Sequence, residues 1–163
     1  MSSLAIRGKV TTPTTLTWDQ LVQLPAEEQI ANAQDLGAKR PGQAVKLRAV
    51  LAMVGLSPEA DYLGLHASAD NFHASIPLAP VMDKAVLIYS QEGGPLPVSA
   101  GGPFRLFIPD HTECHASEID ECANVKFIDE LELTVGKGFD NRPEDEEAHE
   151  QLHQREQGHS HDS

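Results

Sequence analysis

Two thiols and two imidazoles fall within twelve residues of this chain: His111, Cys114, His115 and Cys122, in the run Asp110-His-Thr-Glu-Cys-His-Ala-Ser-Glu-Ile-Asp-Glu-Cys122. Two thiolates with two imidazoles form the ligand set of a tetrahedral zinc site. The spacing is not that of paired Cys-x-x-Cys and His-x-x-x-His knuckles. His111 and Cys114, three apart, can share a face of a regular element, whereas the adjacent Cys114 and His115 would diverge. The haem-attachment run Cys-x-x-Cys-His is absent. Three readings stand open. At least three of the four residues hold zinc or another transition metal, Cys114 and Cys122 form a disulfide, or the run is a surface loop with Cys122 packed beside the strand that follows. The remaining histidines carry less. His66 and His73 flank a turn and read as polar rim residues. His149 and His153, four apart, would chelate if helical, and His159 and His161 follow in the same acidic segment.

Composition narrows the partners. The chain has 163 residues, 12 Lys and Arg against 25 Asp and Glu, and a net charge of −13. Phosphate backbones and anionic membranes need clustered cations, so no nucleic-acid or membrane partner is expected. No apolar run reaches the roughly 18 residues that span a bilayer. The first ten residues alternate apolar and polar rather than forming a secretion signal. A cytoplasmic setting with reduced thiols is therefore the expectation, and two cysteines in a chain of this length are too few for a disulfide scaffold.

The elements that would position these groups are short. Leu4 to Val10 reads as an opening strand. Thr17-Trp-Asp-Gln20 has the form of a capping box, so a short helix should run to Leu24 and stop at Pro25. Residues 25–44 read mostly as loop. Val45 to Val54 has apolar residues at helical spacing, and Gly55 is placed as its C-terminal cap. Strands are expected at Tyr62–His66, Phe72–Ile76, Ala85–Tyr89, Phe104–Ile108 and Val125–Val135, with glycine–proline loops at 93–97 and 101–103. Beyond Gly138 the chain is charged and nearly free of apolar residues. The sequence thus predicts one domain over residues 1–138 and a disordered acidic tail over 139–163. Many short strands, two short helices and no βαβ repeat give an α+β class with a mixed or antiparallel sheet.

In order along the chain come a Leu-x-Ile-x-Gly-x-Val strand, Leu16-Thr-Trp-Asp-Gln-Leu21, Val45-Lys-Leu-Arg-Ala-Val-Leu51, Ala74-Ser-Ile-Pro-Leu78, Gly94-Pro-Leu-Pro97, Gly101-Gly-Pro-Phe-Arg105 and Asn124-Val-Lys126. This series resembles the molybdopterin-binding domain of the sulfite-oxidase family over residues 4–135. The resemblance implies that fold, and a pterin-type ligand held near Gly101, Gly102, Arg105, Asn124 and Lys126. The glycine loop would offer backbone N–H groups, and Arg105 would pair bidentately with phosphate. Alternatively, the glycines only make a tight turn and Arg105 pairs with a carboxylate.

The family's molybdenum-ligating cysteine comes from the segment matching residues 25–44, which here holds no cysteine. No other residue type replaces a soft thiolate well, so molybdenum is not expected. If a metal takes its place, the His111–Cys122 run is the source. Two functions remain. One is a cofactor-binding, oxidoreductase-like domain without the usual thiolate. The other is a non-catalytic binding or assembly module that kept the fold and meets a protein partner. No Gly-x-Ser-x-Gly nucleophile elbow supports a hydrolase.

Overall fold

The computed structural model describes residues 3–109 and 125–141. The chain runs β1 (Ser3–Gly8), β2 (Thr14–Thr17), α1 (Trp18–Val22), β3 (Gln29–Ile30), β4 (Gln43–Lys46), α2 (Leu47–Val54), β5 (Tyr62–Ala67), β6 (Phe72–Pro77), β7 (Val86–Gln91), β8 (Gly94–Pro95), β9 (Arg105–Phe107) and β10 (Glu130–Thr134), with short 3-10 turns between. One five-stranded sheet has the order β2-β1-β10-β5-β6. A second has β3-β4-β7-β8, with β9 also on β7. Among the described residues only β1 and β10 pair in parallel; the other ladders are antiparallel. The expected mixed sheet architecture is the observed one.

Local chemistry accounts for the boundaries. The Thr17 hydroxyl accepts from Gln20 N at 3.3 Å, and Gln20 Oε1 accepts from Thr17 N at 2.8 Å, which completes the capping box that starts α1. Gly55, at φ 75°, closes α2 by donating to Leu51 O at 3.1 Å. The helix starts two residues later than its periodicity suggests. Val45 and Lys46 belong to β4, because their backbone pairs with Leu87 and Val86. Thr14–Thr17, which lies between the expected opening strand and the first helix, is a further strand that pairs with β1. The last strand is shorter than the apolar run from Val125, because Phe127 turns the backbone to φ 59° and β10 begins only at Glu130.

Both sheets and both helices share one apolar core, built on Leu4, Ile6, Leu51, Leu63, Leu87, Leu131 and Leu133 among others. β7 is buried on both faces. Leu87 and Tyr89 enter that core, while Val86 and Ile88 join a smaller cluster with Ala33, Ala44, Leu96 and Ala100. This placement of β7 ties the loops on either side of the second sheet to a rigid strand.

A half-buried amide joins α1 to that strand. Gln29 Nε2 donates to Leu21 O at 2.9 Å and Leu24 O at 3.3 Å, and its Oε1 accepts from the Tyr89 hydroxyl at 2.7 Å. Gln29→Ala strands a buried phenol and the last carbonyls of α1, at a cost of about 1–3 kcal/mol. Urea unfolding monitored by Trp18 fluorescence checks this; an unchanged midpoint would show that water replaces the amide.

Candidate functional site

The glycine–proline loop after β8 forms the platform for the arginine. The turn Val98–Ala100 ends at Gly101, whose φ is 99°, a region that side chains avoid. Gly102 precedes a cis bond to Pro103. A Cβ on Gly102 would fall on the Leu96 carbonyl, so only glycine lets the two backbones approach. The N–H groups of Gly101 and Gly102 donate to Val98 O and Pro97 O, each at 2.9 Å. Both glycines therefore shape the loop and have no donor left over for a ligand. The loop is held from the other side by residues 125–128. Leu106 N donates to Val125 O, Phe127 N to Gly101 O and Ile128 N to Phe104 O, at 2.9, 2.8 and 2.7 Å.

Two guanidinium groups and the Lys126 chain lie on this platform. Arg105 Nη1 donates to Ala100 O at 3.2 Å, and Arg40 Nη1 donates to the adjacent Ser99 O at 3.3 Å. Lys126 passes over Gly101, with its Cγ 3.5 Å from where a Gly101 Cβ would sit. Arg105 is half-buried and its Nε is enclosed with no partner among the described residues. Burial, and then the like charge of Arg40, push its pKa below the usual guanidinium value. Among the described residues no carboxylate forms an ion pair with Arg40, Arg105 or Lys126; the ion pairs there involve Arg7, Arg48 and His66. The carboxylate partner considered for Arg105 is thus not found among the described residues. Among the described residues this positive charge has no carboxylate to balance it, and such a cluster attracts anions. Arg40 escaped the sequence reading, which left residues 25–44 as loop. Its partner carbonyl lies 59 positions away, and no local pattern signals such a contact.

The segment 25–44 also lines a groove of about 530 Å³ against β7 and α1, with Trp18, Gln29, Ala31, Gln43, Tyr89 and Ser90 among its walls. Its donors are an indole, amides and hydroxyls. Burial holds the Tyr89 phenol above its usual pKa, which keeps it a neutral hydrogen-bonding group. A second groove of about 300 Å³ shares Ala31 and Gln43 and adds Glu92. Among the described residues, neither has a thiol or an imidazole in its lining.

Of the residues singled out from the sequence, Gly101, Gly102, Arg105 and Lys126 come together. Asn124, His111, Cys114, His115 and Cys122 lie outside the described residues, as do His149, His153, His159 and His161. Among the described residues no group of three or more His, Cys, Asp or Glu side chains could hold a metal ion. His66 is not a rim residue: it is 6% exposed and is paired with His73, with Nδ1 atoms 2.8 Å apart. No helix among the described residues is long and apolar enough to cross a membrane.

Comparison with known proteins gives the site its context. No curated protein matches the chain. Among solved structures, the fold is similar to the sulfane dehydrogenase SoxCD from Paracoccus pantotrophus, with a TM-score of 0.60 and 22% identity. That likeness covers 83% of this chain but 39% of the other, so this chain spans well under half of that relative's length. The model of the oxidoreductase molybdopterin-binding domain matches residues 2–136. The chain belongs to this molybdopterin-binding domain family.

Proposed function

We propose that this domain binds a small phosphate-bearing ligand of the pterin-cofactor class through Arg105, Lys126 and Arg40, and gives molybdenum no protein thiolate from its groove. The observation that carries the reading is the cluster on the Gly101 loop: a half-buried guanidinium whose enclosed Nε has no partner among the described residues, a second guanidinium close enough to act on it, and the Lys126 side chain against Gly101. Desolvated guanidinium groups favour a phosphate partner, whose oxygens accept from the planar N–H edge bidentately. Gly101 and Gly102 serve by shaping the loop, and Asn124 would add a polar side chain two residues before Lys126.

The two ends of a molybdopterin fit this chain unequally. Arg105, Arg40 and Lys126 would suit its phosphate end. A metal end held against the segment 25–44 would find the amide and apolar groups of Gln29, Ala31 and Gln43. The amides and hydroxyls there would offer a metal no anionic sulfur ligand. Binding without molybdenum redox chemistry is the function this donor set supports, and it unites the cofactor-binding and non-catalytic readings of the sequence. Should the His111–Cys122 run hold a metal, it would be a transition metal on borderline ligands.

Elemental analysis by mass spectrometry of protein purified from cells supplied with molybdate is the test. Less than about 0.1 molybdenum per chain is expected. One molybdenum per chain, lost in a Cys114→Ser or Cys122→Ser variant, would overturn the reading and assign a relocated thiolate.

A further inference from the structure

Outside the cation site, a row of polar side chains lies across strands β1, β10, β5 and β6 of the first sheet. Arg7 pairs with Glu130 and lies 3.5 Å from Glu132 Oε2. Glu132 Oε1 is 3.0 Å from His66 Nε2, and His66 Nδ1 is 2.8 Å from His73 Nδ1. His73 Nε2 reaches Asn71 Oδ1 at 3.3 Å. Gly64 makes room for this row, because a Cβ there would lie 3.1 Å from His66 Nε2 and 3.3 Å from the Glu132 carbonyl.

The row ends at β6, the outer strand of that sheet. An outer strand presents unpaired backbone groups, and here the residues after β10 cover them. Asn141 N donates to His73 O at 3.0 Å, Asn141 Oδ1 accepts from His73 N at 2.9 Å, and Asn141 Nδ2 donates to Asn71 O at 2.7 Å. Asp140 Oδ2 accepts from Ser75 N and Gly138 N donates to Ser75 Oγ, both at 2.9 Å. Phe139 lies over the His73 ring, with centroids 4.8 Å apart. Residues 138–141 therefore form a strap, and His73 is its centre: its backbone holds Asn141 and its ring holds Phe139.

We propose that the His66–His73 pair is an acid-sensitive catch for this strap, which holds residues 138–141 on β6 near neutral pH and lets them go as the second imidazole takes a proton. The geometry dictates the direction. Two Nδ1 atoms 2.8 Å apart have room for one proton between them, whichever ring donates it. A second proton sets N–H against N–H and like charge against like charge, so the rings must part. His66 is 6% exposed and is held by Glu132 from the neighbouring inner strand. His73, half-buried on the outer strand, is the less enclosed of the two rings, so it is the one that shifts, against Phe139 and Asn141.

The other charges facing the pair do not cancel this. Glu132 engages only the far nitrogen of His66, and Glu130 is shared with Arg7. Asp129 favours the charged form of His73, but burial and then His66 outweigh it and lower the His73 pKa from 6.5. Asp129 is also committed to the Ser68 N–H and hydroxyl, and Asp140 to Ser75 N. A histidine whose pKa is lower folded than unfolded leaves stability intact above the unfolded value, and stability falls as pH drops below it through the folded value. Release uncovers the outward backbone groups of Asn71, His73 and Ser75.

Amide hydrogen exchange of the full chain by NMR, corrected for the intrinsic pH dependence of exchange, tests the catch. In wild type, protection of the His73 and Ser75 amides should fall at least about tenfold between pH 7.5 and pH 5, while Leu131 in the middle of the sheet keeps its protection. In His73→Phe, which preserves the backbone bonds and the ring contact but cannot titrate, protection should be the same at both pH values. Asn141→Ala should leave the His73 amide exposed at both. The proposal fails if wild-type protection is flat with pH, if His73→Phe loses protection as wild type does, if Leu131 opens together with His73, or if Asn141→Ala keeps His73 protected.

Discussion

Arg105→Gln is expected to weaken binding of inorganic pyrophosphate by at least tenfold, which corresponds to about 1.4 kcal/mol. Glutamine keeps much of the side-chain volume over Gly101, so the loop has no new space to collapse into. It removes the charge and the planar pair of N–H donors that suit a phosphate. In isothermal titration the loss should appear as weaker affinity at unchanged stoichiometry. Arg40→Gln and Lys126→Gln should each cost less, because both side chains are exposed and solvent screens their charges. Raising salt should weaken the wild type more than Arg105→Gln, since the variant has one fewer cation to screen. Equal affinities in wild type and Arg105→Gln would remove the basis for the proposed phosphate site.

The second large effect concerns the loop under those cations. Gly102→Ala should destabilise the domain by about 1–3 kcal/mol or more, because overpacking here meets backbone rather than a flexible side chain. The added methyl would sit on the Leu96 carbonyl and crowd Pro97 O at 2.9 Å. The loop can relieve this only by moving Gly101 and the carbonyls of Ser99 and Ala100 that hold Arg40 and Arg105. Anion affinity should therefore fall in the same variant. Gly94→Ala is the matched control, since a Cβ there meets nothing within 4 Å and should change stability by no more than about 0.5 kcal/mol. Thermal unfolding of the pair separates the two cases, and indistinguishable melting temperatures would mean that the loop yields without cost.

Local chemistry and apolar pattern were sufficient for the parts of this protein whose interactions are close in sequence. Thr17 and Gln20 cap α1 within four residues, Gly55 ends α2 one residue past its last turn, and the alternating runs at 62–66 and 72–76 form the β5–β6 ladder. The absence of a cysteine from residues 25–44 was likewise a fact of composition. The cation site was half legible. The Gly101–Arg105 motif marked its platform, but the free N–H groups it suggested are used inside the loop.

What only the tertiary structure decided depends on distance along the chain. Arg40 reaches Ser99, Gln29 reaches Tyr89, and Asn141 reaches His73 across 59, 60 and 68 positions. A contact of that span leaves no periodicity, because each partner looks like an ordinary polar residue in its own segment. His66 and His73 show the same limit at shorter range. Seven residues apart, they read as two rim histidines around a turn; the β5–β6 register sets them opposite each other and brings Glu132 in from a third strand. Sheet register turned two isolated imidazoles into one coupled pair. It could do so because cross-strand neighbours are chosen by backbone pairing and core burial, not by the polar side chains that then have to face each other.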